Sequence, residues 1–383
     1  MDTKPPRIAI DARFWRKDTA GIGRYTRELV HNLAKLDHVN QYTVILTEKD
    51  ATEWDIDQPN FHTAVLPYEH YTLSEQTGFL KWLNKQNFDL VHFLNFNHPI
   101  LYRKNFVVTI HDLTLFKYPA DNKKRSVLRK YAFYRVFKHA VRGASKVIAI
   151  SQNTLNDTTT FFGVSKNNIT LIYEGGPDVD KSKYNHHAVI NYLKTDSPYF
   201  LFVSQWRPHK GIVTLVSAFN QFKNRYKTDQ KLVLLGSQKV ATEEIIRKIK
   251  TSPYSKDIII PGFAPEDLLP SLYHFSSAFI VPSEYEGFGL PVLEGYSYQT
   301  PTIVAHNSSL TEVAGEGALF FPTSDVVNLV EQMHVVTSNK DLVQKQIEYG
   351  LAQLNKFSWQ KCAQETLKTY NEVLNSQTVP KHD

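Results

Sequence analysis

A two-domain α/β architecture, each half a doubly wound parallel sheet, is predicted by three features of the chain. Short apolar runs alternate with longer helical patterns along nearly its whole length, the signature of successive βαβ units. At 383 residues with 42% hydrophobic content, the chain can build two separate cores. The alternation is interrupted between Gly175-Gly-Pro-Asp178 and Ser197-Pro198, where a polar stretch divides one set of runs from the next. Residues 1–175 therefore read as a first domain, 176–197 as a linker, 198–355 as a second domain and 356–383 as a C-terminal helical segment.

In the first half the strand candidates are Ile8–Ile10, Tyr42–Leu46, Thr63–Leu66, Leu90–Phe93, Phe106–Ile110, Val147–Ile150 and Thr170–Tyr173, with helical patterns between most of them. The run Ile8–Arg13 leads through Thr19-Ala-Gly-Ile-Gly-Arg24 to a helix expected to start near Tyr25. Gly21 and Gly23 permit close backbone approach by a ligand, although the third glycine of a dinucleotide fingerprint is missing. His92, Asn95, Asn97 and His98 follow the run Leu90–Phe93, and His111-Asp112 follows its neighbour Phe106–Ile110. A lone histidine at a strand end is as well explained by core packing. Convergence of polar residues at two strand ends is what gives His111 a functional reading, as a group held rigidly at a crevice.

Between Lys123 and Lys146 the chain carries nine basic residues and no acidic one. On a helix Arg135, Lys138, Arg142 and Lys146 share a face opposite Phe133, Val136, Phe137, Ala140 and Val141. Two readings remain open: a solvated face of a helix packed on a sheet, or a docking surface for anionic lipid headgroups. The net charge of +6 agrees with an anionic partner. A nucleic-acid role rests on charge alone and is not expected.

The second half restarts at Tyr199–Val203 and continues through Leu232–Leu235, Ile258–Ile260, Ala278–Val281, Thr302–Val304 and Leu319–Phe321, and is mostly helical after Asp325. Arg207 and Lys210 fall between the strand Tyr199–Val203 and a helical pattern beginning at Ile212, where cations can grip a diphosphate. The most informative segment runs from Ser283 to Glu294. It is a strand end, a glycine turn and a helix start. Backbone N–H groups of Phe288, Gly289 and Leu290 would join the positive end of the helix dipole there, an arrangement suited to phosphate. Pro291 fits the first turn, where no amide partner is lost. Glu286 precedes the helix and Glu294 lies about one turn inside it, so two carboxylates flank the anion site and can accept hydrogen bonds from sugar or ribose hydroxyls.

The single cysteine, Cys362, rules out an intrachain disulfide and a multi-cysteine metal site, and reads as a small buried helix residue. That usage fits a reducing cytoplasm. No leader-like apolar region and no run approaching the ~20 apolar residues of a bilayer span is found, so a soluble or peripheral protein is expected. The histidines lack zinc-protease spacing, and no metal is expected.

Taken together, the chain resembles the retaining glycosyltransferases of the GT-B fold, family 4 (group 1). The resemblance runs from Asp11-Ala-Arg through Gly21-Ile-Gly-Arg-Tyr, His111-Asp-Leu-Thr, Pro208-His-Lys-Gly and Glu286-Gly-Phe-Gly-Leu-Pro-Val-Leu-Glu294 to Phe357-Ser-Trp359, strengthened by Pro282-Ser-x-x-Glu and Ser309-Leu-Thr-Glu-Val313. It implies two Rossmann-like domains facing across a cleft and a C-terminal helix crossing back to the first. It implies a nucleotide-sugar donor on the second domain, with Glu294 on the ribose, Glu286 on the sugar ring, and Lys210 with the 288–290 amides on the diphosphate. His111 would contact the transferred sugar, and Gly21 and Gly23 would border the phosphates. No bound metal or other cofactor is implied, because cations and helix amides stabilise the leaving diphosphate.

Two positions depart from the family pattern. Ser204 and Gln205 stand where Gly-Arg is frequent, leaving Arg207 as the available arginine, and Glu294-Gly-Tyr-Ser297 replaces a frequent Glu-Ala-Met-Ala. The implied donor is GDP-mannose first, with UDP-glucose or UDP-N-acetylglucosamine as alternatives, and the implied acceptor is a glycan or lipid-linked saccharide at the inner face of the cell membrane. A non-catalytic sugar- or nucleotide-binding module is the rival from another class.

Overall fold

The computed structural model describes residues 4–16, 20–118, 127–177 and 184–376. Every apolar run singled out above forms a strand. They are β1 Arg7–Asp11, β2 Gln41–Leu46, β3 Phe61–Val65, β4 Leu90–Phe93, β5 Phe106–Ile110, β6 Lys146–Ala149 and β7 Ile169–Leu171, then β8 Tyr199–Val203, β9 Lys231–Leu235, β10 Ile258–Gly262, β11 Ala278–Val281, β12 Thr302–Ala305 and β13 Ala318–Phe321. β1–β7 form one sheet in the order β3-β2-β1-β4-β5-β6-β7, and β8–β13 form another in the order β10-β9-β8-β11-β12-β13. Every neighbouring pair is parallel.

Burial explains why these segments are legible as strands. Every residue of β4, β5 and β11 is buried, so these strands read as continuous apolar runs rather than alternating ones. Pro261 sits in β10, at the edge of its sheet, where a missing N–H costs no central ladder bond.

The chain divides into two compact units, Met1–Gly175 with Ser358–Asp383, and Gly176–Phe357. The C-terminal helix Trp359–Asn375 thus belongs to the first unit, where it packs on the helix Ala20–Leu36. Its buried residues Trp359, Cys362, Ala363, Thr366, Tyr370 and Val373 recur at helical spacing. A buried polar chain locks it to the sheet: Tyr370 Oη lies 2.6 Å from His92 Nδ1, His92 Nε2 lies 2.9 Å from Thr109 Oγ1, and Thr109 Oγ1 lies 3.0 Å from Tyr25 Oη. Cys362 is buried, and burial pushes its thiol pKa well up.

Three sequence expectations are corrected. The stretch 176–197 is not a bare linker: it falls within the second unit, and His186–Leu193 is a helix capped by Asn185 and buried through Val189 and Leu193. The four-residue spacing of those two apolar side chains outweighs the polar composition around them. The first-unit helix begins at Ala20 rather than near Tyr25, which places Gly21 and Gly23 in its first turn. Lastly, Lys146 is not on the basic helix, which ends at Gly143; it opens β6, where its neighbour Ser145 donates to the Phe106 carbonyl. On that helix Phe137, Ala140 and Val141 are buried and Arg135 is exposed, whereas the basic cluster Lys123, Lys124 and Arg125 lies outside the described residues.

The buried histidines give the first unit an acid-sensitive core. Burial, together with the charge of His111, pushes the His92 pKa down to about 3; burial pushes that of His98 down to about 4. His98 is fully bonded, to the Phe96 carbonyl at 2.9 Å and to His139 Nδ1 at 2.7 Å. The unfolded chain binds protons at these rings near pH 6.5 and the folded chain does not, so stability is complete above pH 6.5 and is lost as pH falls towards 4. The expected loss is about 2 kcal/mol per histidine at pH 5. A melting temperature measured by circular dichroism should drop between pH 7.5 and 5; a flat profile would contradict the burial argument.

Candidate active site

Strand order reverses between β8 and β11, so the connections that follow them run to different neighbours. The helix Ile212–Tyr226 after β8 packs with Glu243–Lys250 and Val326–Ser338, whereas Leu290–Ser297 after β11 packs with Leu310–Ala314 and Lys340–Leu354. The loops leading into these helices lie side by side at the carboxyl end of the sheet. They touch through backbone, with Glu284 N donating to His209 O at 2.8 Å. Gly211, at φ +71°, makes the close approach: a Cβ there would overlap the Pro282 carbonyl.

This juxtaposition unites Lys210 and Glu286. Lys210 Nζ donates to both carboxylate oxygens, at 2.7 and 2.8 Å, and the two side chains are only 17% and 14% exposed. Three serines fix the acid. Ser283 Oγ donates to Glu286 Oε1 at 2.7 Å, Ser309 Oγ donates to the Glu286 carbonyl at 2.9 Å, and Ser308 Oγ accepts from the Glu286 amide at 3.1 Å. Asn307 Nδ2 in turn donates to the Ser283 carbonyl at 2.9 Å.

Immediately downstream, Gly289 at φ +117° forms the N-cap of Leu290–Ser297 and, as a glycine, brings no capping side chain of its own. First-turn amides and the helix dipole make such an end a place for an anion. Phe288 is buried edge-on to Phe357, ring centroids 5.7 Å apart. Glu294, in the same helix, accepts from Tyr273 Oη at 2.7 Å, and the Tyr273 ring is buried against Phe279 and Tyr298. Arg207 is exposed, and its Nε lies 3.3 Å from Gln205 Oε1.

In the first unit, His111 ends the run of β5. Its Nε2 lies 2.8 Å from the Leu94 carbonyl, which can only accept, so Nε2 carries a proton. Its Nδ1 lies 3.4 Å from the buried Glu174 carboxylate, and the Tyr25 ring meets it edge-on at 4.8 Å. Gly21 is exposed, with open space where a side chain would stand.

Sequence comparison decides the family. Residues 186–353 match the model of glycosyl transferases group 1, and residues 19–176 match that of glycosyltransferase family 4. The chain belongs to family 4 of the glycosyltransferases, group 1. Among characterised relatives, O-antigen chain mannosyltransferase B of Escherichia coli is 25% identical over 375 residues, spanning 91% of this chain and 95% of that protein. O-antigen chain mannosyltransferase RfbU of Salmonella typhimurium is 26% identical over 229 residues, 60% of each chain. Among solved structures, a sucrose-phosphate synthase from Thermosynechococcus elongatus superposes with a TM-score of 0.76 at 20% identity, covering 97% of this chain and all of that one. The fold is GT-B, with two Rossmann-like units and a C-terminal helix returned to the first.

As a family 4 glycosyltransferase, the protein is a retaining enzyme, and the residues that the resemblance named in the second unit are in part gathered and in part dispersed. Lys210 and Glu286 meet directly, whereas Arg207 lies apart from their bonds. Roles for Tyr273, Ser308 and Glu174 were not read from sequence. Ser283 and Ser309 stood inside quoted motifs, but nothing in their spacing said that both would bind Glu286. Gly211→Ala tests the loop contact that makes the pair. A left-handed alanine forced against a carbonyl should cost about 2–3 kcal/mol, read from the urea midpoint.

Proposed function

We propose that this enzyme transfers mannose from GDP-mannose to a glycan or lipid-linked saccharide with retention of anomeric configuration. The observation that carries the reading is the Lys210–Glu286 pair just before a helix N-terminus whose N-cap is a glycine, with Glu294 in the same helix. The two O-antigen mannosyltransferase relatives support mannose as the sugar. Lys210 and the amides of Phe288, Gly289 and Leu290 hold the donor diphosphate, with Arg207 as an outer cation. Glu286 orients the hexose ring and Glu294 binds the ribose hydroxyls. His111, its ring fixed by Leu94 and Glu174, acts in sugar transfer, and the Gly21–Gly23 turn leaves room for phosphate.

In this mechanism the bond between the anomeric carbon and the diphosphate oxygen breaks first, giving an oxocarbenium-like state. The departing diphosphate then takes the acceptor hydroxyl's proton on the same face as attack. Lys210 and the helix amides stabilise the negative charge that develops on the leaving oxygen, in a setting organised before the reaction begins. Glu286 needs no covalent role. Its hydrogen bonds to Ser283 and Lys210 hold it in one orientation, which favours positioning over attack.

No described helix is long and apolar enough to cross a membrane. A lipid-linked acceptor would be met at the cytoplasmic face of the cell membrane, with the basic helix ending at Gly143 turned to anionic headgroups.

Thermal-shift titration discriminates the donors. GDP and GDP-mannose at ~100 times their dissociation constants should stabilise the protein by about 2.7 kcal/mol, and UDP-sugars at the same concentrations by less. No shift with any nucleotide would defeat the assignment, and a larger shift with UDP-glucose would replace the donor. Lys210→Ala and Glu286→Ala should each lower transfer at least about tenfold while circular dichroism stays unchanged. Transfer should persist in excess EDTA, since the charge on the leaving group is met by Lys210 and the helix amides; loss of activity restored by a divalent ion would reverse that part.

A further inference from the structure

The loop between β3 and the helical segment beginning at Glu75 holds a residue that the donor site does not use. Tyr71 has φ +61°, a left-handed conformation that a bulky side chain rarely adopts. Lys194 and Lys227 share that region as helix C-caps, a routine position; Tyr71 caps no helix. Its side chain is 48% exposed.

The strained conformation is held by a buried ionic scaffold. The Tyr71 amide donates to Glu75 Oε2 at 3.0 Å, and Glu75 Oε1 accepts from Arg13 at 2.8 Å and Asn97 at 3.1 Å. Arg13 forms two 2.7 Å bonds to Asp11 at the end of β1. Around the ring stand Phe133, T-shaped to it with centroids 5.3 Å apart, and Phe96, tilted at 6.0 Å. Asn95, 6% exposed, donates to Tyr71 Oη at 3.3 Å, and it directly follows Leu94, whose carbonyl holds His111. A half-exposed aromatic ring is thus hydrogen-bonded to the residue that follows the histidine's anchor.

We propose that Tyr71 is the stacking floor of a saccharide subsite, on which a hexose ring of the acceptor lies with its apolar face against the phenol. Aromatic rings bind sugars by covering the C–H face of the pyranose while polar neighbours take the hydroxyls, and a preset ring loses little rotamer entropy. Strain maintained by buried salt bridges has a use at a binding surface and none in the core. The inference rests on the transferase reading above and names the substrate class of its acceptor side.

Saturation-transfer NMR with α-mannobiose as probe tests it, on wild-type protein, Tyr71→Phe and Tyr71→Gly. Glycine accepts the left-handed conformation, which offsets part of the loss of the Phe96, Phe133 and Asn95 contacts, so Tyr71→Gly should keep the wild-type circular dichroism spectrum and a cooperative melt. Its affinity for α-mannobiose should fall at least about tenfold, while Tyr71→Phe stays within about threefold of wild type. Equal saturation transfer to wild type and Tyr71→Gly, or none to wild type, overturns the subsite. A thermal shift with GDP or UDP on the same samples separates this from the transferase reading, which fails only if no nucleotide shifts the protein.

Discussion

A parallel sheet whose strand order reverses must open at the reversal, and the second unit depends on that constraint. β8 passes the chain one way and β11 the other, so the loops after them are adjacent at the sheet's carboxyl edge while their helices join different packing partners. Lys210 comes from one loop and Glu286 from the next. They are 76 residues apart in sequence and 2.7 Å apart in space. Neither would be fixed by its own loop. The Gly211 approach to Pro282, the 209–284 backbone bond and the Ser283, Ser308 and Ser309 contacts turn two flexible side chains into one rigid pair.

The first unit meets a different problem, since its last helix arrives after the whole second unit has been made. Its seat on Ala20–Leu36 buries a stripe of apolar and small residues, but an apolar stripe alone leaves rotation and register loosely set. The Tyr370–His92–Thr109–Tyr25 chain sets both, because a buried hydroxyl displaced by one helical position would lose its partner. The same buried imidazole that specifies the helix makes the unit acid-sensitive. Specificity and pH dependence have one cause.

How much of this was legible follows from the range of each interaction. The strands were readable because burial on both faces makes a continuous apolar run, a property of adjacent residues. The Glu286–Glu294 segment was readable because strand end, glycine turn and helix start are also local. What failed was whatever depends on distant partners or on a missing end signal. The helix at Ala20 has no acidic first turn to announce it, so its start was placed too late. The helix His186–Leu193 was hidden in a polar stretch because only two of its side chains are deeply buried. Tyr273, 21 residues from Glu294, and Glu174, facing His111, reach their partners only through the fold.

The two glutamates of the Ser283–Glu294 segment share a residue type and one short stretch of chain, yet their surroundings divide them. Glu286 sits between a cation and a serine hydroxyl, with both backbone groups bonded, so its carboxylate is neutralised and held at a single orientation. Glu294 accepts from a phenol whose ring is clamped in an aromatic cluster, a contact that orients one oxygen without supplying a positive charge. In the proposed reading an anionic ligand at the helix end shares the Lys210 ammonium with Glu286, whose carboxylate is held on that ammonium by both oxygens. In the proposed reading, Glu294 accepts from ribose hydroxyls as it does from the Tyr273 hydroxyl. The switch point and the aromatic cluster therefore give two nearby carboxylates different partners, a cation for one and a phenol for the other.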